Sequence, residues 1–155
     1  MTKRRLFLAS ALLTAAMTSA GLGVAQAHAF GCSVALLDGL YIFAATGWGA
    51  LPGTMAVDPL PPKAIIEWIR FNGNGSLTSP GSTRSLDGMI TQSTQTTTGS
   101  YTLGDVDTGC QGTITFDSGP KFDIFTSILA SGEIWMIQTN MNGNVFRGNA
   151  TKVAR

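Results

Sequence analysis

Histidine is nearly absent from this chain. His28 is the only one among 155 residues, and it stands beside a segment read below as cleaved. A Ser-His or Cys-His nucleophile pair and a histidine-rich metal site are therefore both excluded as working hypotheses. Charge is scarce as well, at 12% Asp, Glu, Lys and Arg with a formal balance of +1. Three of the ten Lys and Arg are Lys3, Arg4 and Arg5, so without them nine Asp and Glu outnumber seven cations. A basic face for nucleic acid is not available in such a chain. Beyond residue 29 no uninterrupted apolar run approaches the roughly 18 residues of a membrane helix, and no long stretch carries a 3.6-residue stripe. No motif specifies a reaction, and none implies a cofactor.

What is present begins with an export signal over 1–29. Lys3, Arg4 and Arg5 make a positive start, the run from Leu6 to Val24 is apolar or small, and Ala25-Gln26-Ala27 or Ala27-His28-Ala29 offers the cleavage site. Arg4-Arg5-Leu6-Phe7-Leu8 resembles the twin-arginine pattern, an alternative to the preferred reading of ordinary secretion. The expectation is a bacterial protein of the periplasm or exterior, with residues 30–155 forming one domain. Cys32 and Cys110 are the only cysteines and both lie in the exported part, where an even count predicts a bridge. The competing reading is a lipidated Cys32, for which Ala29-Phe30-Gly31 is a poor lead-in.

Strand signals dominate the rest. Segments rich in Thr, Ile, Val and aromatics run over Leu37–Thr46, Ala64–Phe71, Ser76–Thr78 continuing irregularly to Ser85–Gln92, Gly99–Leu103, Gly112–Phe116, Phe122–Leu129, Ile134–Thr139 and Val145–Val153. Turn residues separate them, among them Asn72-Gly73-Asn74-Gly75, Gly104-Asp105, Asp117-Ser118-Gly119-Pro120, Ser131-Gly132 and Asn142-Gly143. Asn-Gly supplies the positive φ of tight hairpins, so the connections read as antiparallel. About eight such strands predict an all-β meander closing into a barrel, with a β-sandwich as the alternative.

A first strand opening Gly39-Leu40-Tyr41, a long first loop and then a run of hairpins resembles small secreted lipocalin-like (calycin) barrels, and equally barrels of the allene-oxide-cyclase type. Two features depart from the lipocalin pattern: Tyr41 stands where that motif has Trp, and no helix follows the last strand. The first resemblance implies a binding protein for a small apolar molecule held in the barrel. The second implies a cofactor-free isomerase or cyclase, and commonly an oligomer. A structural or interaction protein with a solid core is the third class.

Within that frame four residues are candidate ligand lining: Tyr41, Trp48, Glu67 and Trp135. Trp48 lies at the start of the loop from Gly47 to Pro62, which carries Pro52, Pro59, Pro61 and Pro62 and reads as a flap or a plug. Glu67 is bracketed by Ile65, Ile69 and Phe71 on its own face, which would raise its pKa and make it the candidate catalytic carboxylate, unless Arg84 or Arg147 pairs with it. Asp123 raises the same question more weakly. The second strand, Ala64–Phe71, is apolar on both faces, so its exterior needs a cover, either the proline-rich loop or a second subunit. Asp105 and Asp107 alone make a weak case for calcium. Asn74-Gly75-Ser76 and Asn149-Ala150-Thr151 match the glycosylation pattern, which matters little in a bacterial chain.

Overall fold

The structure is a computed structural model and describes residues 31–49, 59–107, 109–117, 119–127, 132–140 and 145–154. The segment over 1–29 expected to be an export signal and most of the proline-rich loop lie outside the described residues. Among the described residues, after a single 3₁₀ turn over Val34–Leu37, nine strands follow: β1 (Gly39–Trp48), β2 (Pro62–Phe71), β3 (Ser76–Leu86), β4 (Met89–Ser93), β5 (Thr97–Val106), β6 (Gly109–Phe116), β7 (Lys121–Thr126), β8 (Glu133–Gln138) and β9 (Val145–Ala154). All pairings are antiparallel, and β9 returns to β1 while β2 joins β3, closing an eight-stranded barrel with β4 as an extra strand. Closure satisfies the backbone groups that an open sheet leaves at its edges.

One element differs from the sequence reading. The irregular segment through Ser85–Gln92 is a hairpin of two strands, β3 and β4, turning at Asp87-Gly88, where φ is 51° and 78°. Asp-Gly supplies the two left-handed residues of a type I′ turn, so the signal was in the sequence. The first half of β3 pairs with β5 and the second half with β4. The register shift between Trp68 and Arg70 marks the bend where β3 changes partner.

The core follows from strand alternation. Tyr41 and Phe43 on β1, Ile69 and Phe71 on β2, Leu77 on β3, Tyr101 on β5, Ile114 on β6, Ile124 on β7, Ile134 on β8 and Ala150 on β9 all point inward and are buried. Their rings meet edge to face, Phe71 with Tyr41 at 5.1 Å and with Tyr101 at 4.9 Å, Phe43 with Phe122 at 5.6 Å. This is the preferred geometry for ring quadrupoles. The 3₁₀ turn seals the end near the β2–β3 turn: Leu37 is buried, and the Tyr101 hydroxyl donates to the Val34 carbonyl at 2.8 Å.

The bridge Cys32–Cys110 is formed, with Cα atoms 5.5 Å apart and 78 positions between them in sequence. Asp105 Oδ1 accepts the Cys32 N–H at 2.6 Å and holds the same segment against β5. A loop of that length makes such a cross-link worth roughly 4 to 5 kcal/mol by chain entropy.

Candidate functional site

Among the described residues, the carboxylate with an unusual setting inside the barrel is Glu67. It projects from β2 between Ile65 and Ile69, with Phe43 opposite on β1 and Ser82 opposite on β3. Burial pushes its carboxyl above the ordinary glutamate range, and the Ser79 hydroxyl, itself buried, opposes the shift by hydrogen-bonding it. Among the described residues no cation pairs with it. Tyr41 lies in the same interior. Burial first, and then the neighbouring Tyr101 and Asp38, push its phenol up to about 12, so it stays a neutral hydroxyl at physiological pH.

The four lining candidates do not converge. Tyr41 and Glu67 face inward, Tyr41 at 1% exposure among packed rings, whereas Trp135 is 61% exposed and Trp48 55% exposed on the outer surface. Alternation explains the split: Trp135 sits between the buried Ile134 and Met136, and even-numbered residues of β1 such as Trp48 face away from the core. Asp123 is likewise outward, across from Ile137. Asp105, one of the two aspartates considered for calcium, holds the Cys32 N–H instead.

The outer surface carries a concavity. Cross-strand register lines up Ile90, Ser85, Ala64, Thr46, Arg147 and Ile137 in one row across β4, β3, β2, β1, β9 and β8. The adjacent row holds Thr83, Ile66, Ala44, Asn149, Trp135 and Phe125. The middle of these rows is small, with Ala44, Thr46 and Ala64 over Gly148, and the flanks are large, with Ile66 and Ile90 on one side and Phe125, Trp135 and Ile137 on the other. A small floor between large flanks makes a groove, and its volume is about 920 Å³. That lies within the roughly 300–1,000 Å³ of small-molecule sites, and the mix of apolar walls with few polar groups is also typical of them.

Among the described residues two arginines, Arg84 and Arg147, are in the lining and no Asp or Glu is; Arg147 points outward beside Thr46, whereas Arg84 pairs with Ile65 on the opposite face. Arg147 also borders a neighbouring hollow of about 330 Å³ that contains Trp48 and Lys63. Lys63 is engaged: its ammonium lies 4.3 Å from the Phe146 ring centroid, and burial followed by the Arg84 charge lowers its pKa. At the other end Asn149 Nδ2 donates to Glu133 Oε1 at 3.2 Å.

Sequence reasoning missed this groove apart from Trp135. Its residues come from seven strands, and only the closed register brings positions 44, 66, 90, 135 and 149 together. The available signal was the doubly apolar second strand, whose outward half, Ile66 and Trp68, flags an exterior that is not merely solvated.

Compared with known proteins, the chain matches no family model, no curated protein and no solved structure.

Proposed function

We propose that this protein is an exported, non-catalytic barrel that binds a small hydrophobic molecule in the groove on its outer wall. The observation that carries the reading is that groove: a concavity floored by Ala44, Thr46 and Ala64 and walled by exposed Ile66, Ile90, Trp135 and Ile137. Exposed apolar surface gathered into one concave patch marks a binding site far more often than isolated exposed side chains do. Export is supported by the basic and apolar segment over 1–29 together with the Cys32–Cys110 bridge, which persists in oxidising compartments.

The test is saturable uptake of a neutral hydrophobic fluorophore, N-phenyl-1-naphthylamine. Wild type and Thr113→Val should take it up alike, because Thr113 lies on the opposite wall, while Ala44→Trp, which fills the floor, and Trp135→Glu should lose it. Absence of saturable uptake by wild type, or full uptake by Ala44→Trp, would overturn the reading.

A second reading, a cofactor-free isomerase or cyclase, is favoured by one observation, the buried Glu67 hydrogen-bonded by Ser79 and without a cation. A dry carboxylate can stabilise a cationic intermediate or move a proton. Its test is turnover of an epoxide substrate that disappears in Glu67→Gln and survives in Ala44→Trp.

A further inference from the structure

We propose that the occupant of the outer groove is a monomeric long-chain carboxylate, its hydrocarbon lying along Ala44, Ile66 and Trp135 and its carboxylate on Arg147. The inference rests on the groove being a ligand site and adds what the ligand is.

Among the described residues the lining holds no carboxylate; Arg147 stands on the outward row beside Thr46, whereas Arg84 pairs with Ile65 on the opposite face, and neither arginine has an acidic partner. A guanidinium beside an apolar hollow offers a paired, planar donor set to a carboxylate, which point charges such as ammonium do not match. The nearest acid on the Arg147 row is Asp123, beyond Ile137. That is two strand spacings, about 9.5 Å, from Arg147.

The groove also has a direction. Register pairs Arg147 with Ile137 and Thr151 with Glu133. Four steps therefore separate the Arg147 end from the Glu133 end, about 13 Å at ~3.3 Å per residue. Between them lie Trp135, Asn149 and Ala44. Glu133 and its Asn149 partner occupy the far end, so an anionic head is favoured at Arg147 and disfavoured at the opposite end. An apolar body with one negative terminus fits this polarity; a neutral oil leaves Arg147 unused.

A second copy of the chain fits less well. An isologous contact through this wall brings the same patch of both copies together about a two-fold axis. With the axis along the groove it sets Arg147 of one copy against Arg147 of the other; only an axis across the groove relieves this, by placing Glu133 opposite Arg147.

The experiment is equilibrium dialysis of the protein against decanoate and decan-1-ol below their aggregation concentrations, with the protein obtained by expressing the full chain. Decanoate should bind one per chain and about tenfold more tightly than decanol, as expected for one charge-assisted contact. The advantage should vanish in Arg147→Gln and shrink with added salt. Arg147 is exposed, so its loss leaves the core intact, and unchanged thermal melting checks that.

Equal binding of acid and alcohol, or an advantage that survives both Arg147→Gln and Arg84→Gln, overturns the carboxylate assignment and leaves the groove reading standing. Failure of both ligands to bind, or binding that persists in Ala44→Trp, overturns the groove reading itself. Two other results also overturn the proposal. One is binding to phosphatidylglycerol vesicles without binding of free decanoate, which would identify a lipid surface. The other is a dimer that Ile66→Glu dissociates in a protein that takes no decanoate, which would identify a second copy.

Discussion

The barrel has two unlike walls. The outward residues of β5 and β6 include Thr98, Ser100, Thr102, Gln111, Thr113 and Thr115, all uncharged and polar, with Val106 the one large apolar side chain on that face, and Thr102 and Thr113 hydroxyls pair across the strands at 3.0 Å. The outward residues of β1, β2 and β8 include the large and apolar Ile42, Trp48, Ile66, Trp68, Trp135 and Ile137, beside Ala44, Thr46, Ala64, Arg70 and Glu133. Both walls cover the same core and are built from the same antiparallel ladder, so the fold does not require the difference. Thr side chains are good strand formers that water solvates on the outside; exposed Trp and Ile are good strand formers that water does not. The contrast separates what the barrel needs from what it has beyond that need, and the excess lies over the groove.

The largest expected effect concerns what both walls share. Cys110→Ala should cost roughly 4 to 5 kcal/mol in denaturant unfolding, because the open chain regains the entropy of a long loop, and unreduced, unfolded wild type should show no free thiol. Two reactive thiols would remove the bridge from the account.

Next in size is a glycine comparison between the walls. A Cβ at Gly148, beneath the groove, would fall 2.1 Å from the Ala44 carbonyl oxygen, whereas a Cβ at Gly104 on β5 has nothing within 4 Å. Gly148→Val should destabilise by about 3 kcal/mol through forced separation of β1 and β9, and Gly104→Val by less than about 0.5 kcal/mol. Similar losses at both positions would mean that the close β1–β9 approach is not rigid.

Surface exchanges sharpen the contrast with smaller energies. Trp135→Ser and Ile66→Ser remove exposed side chains and should change stability by no more than about 1 kcal/mol, while abolishing uptake of the naphthylamine probe. Thr102→Val should alter neither property measurably. A large stability loss at Ile66 would identify its wall as packing surface.

The smallest effect is the sign of a pH dependence. Glu67 has a folded pKa above its unfolded one, so its contribution favours folding fully below the unfolded value and is lost as pH rises through the folded value. Glu67→Gln should therefore raise the melting temperature slightly at neutral pH and flatten the decline on the alkaline side of the glutamate range. Destabilisation at every pH would show instead that the carboxylate's bond with Ser79 outweighs its burial.

The strands, their antiparallel pairing and the disulfide could be read from the sequence because their causes are local: β-branched runs, Gly and Asn turns, a paired cysteine count. The β3–β4 hairpin was just as local, through Asp87-Gly88, but the weakly apolar run around it hid the turn. The direction of side chains is a different problem. In β2 and β8 both parities are apolar, Ile65 against Ile66 and Ile134 against Trp135, so alternation alone leaves two answers. The choice is made by neighbouring strands, where Phe43 and Ile124 must face the core. Trp135 and Trp48 therefore read as barrel lining until the closed register turns them outward. The groove depends wholly on rows that cross the sheet, and no short window of sequence contains it.

The central claim is that the ligand lies on the outer apolar wall. It is tested most directly by mapping amide chemical-shift changes by NMR during titration with decanoate. Shifts confined to Ala44–Thr46, Ala64–Ile66, Trp135–Ile137 and Arg147–Asn149, with Thr102 and Thr113 unmoved, are the predicted result. Shifts centred on Tyr41, Glu67 and Ser79 would place the ligand inside the barrel and contradict it.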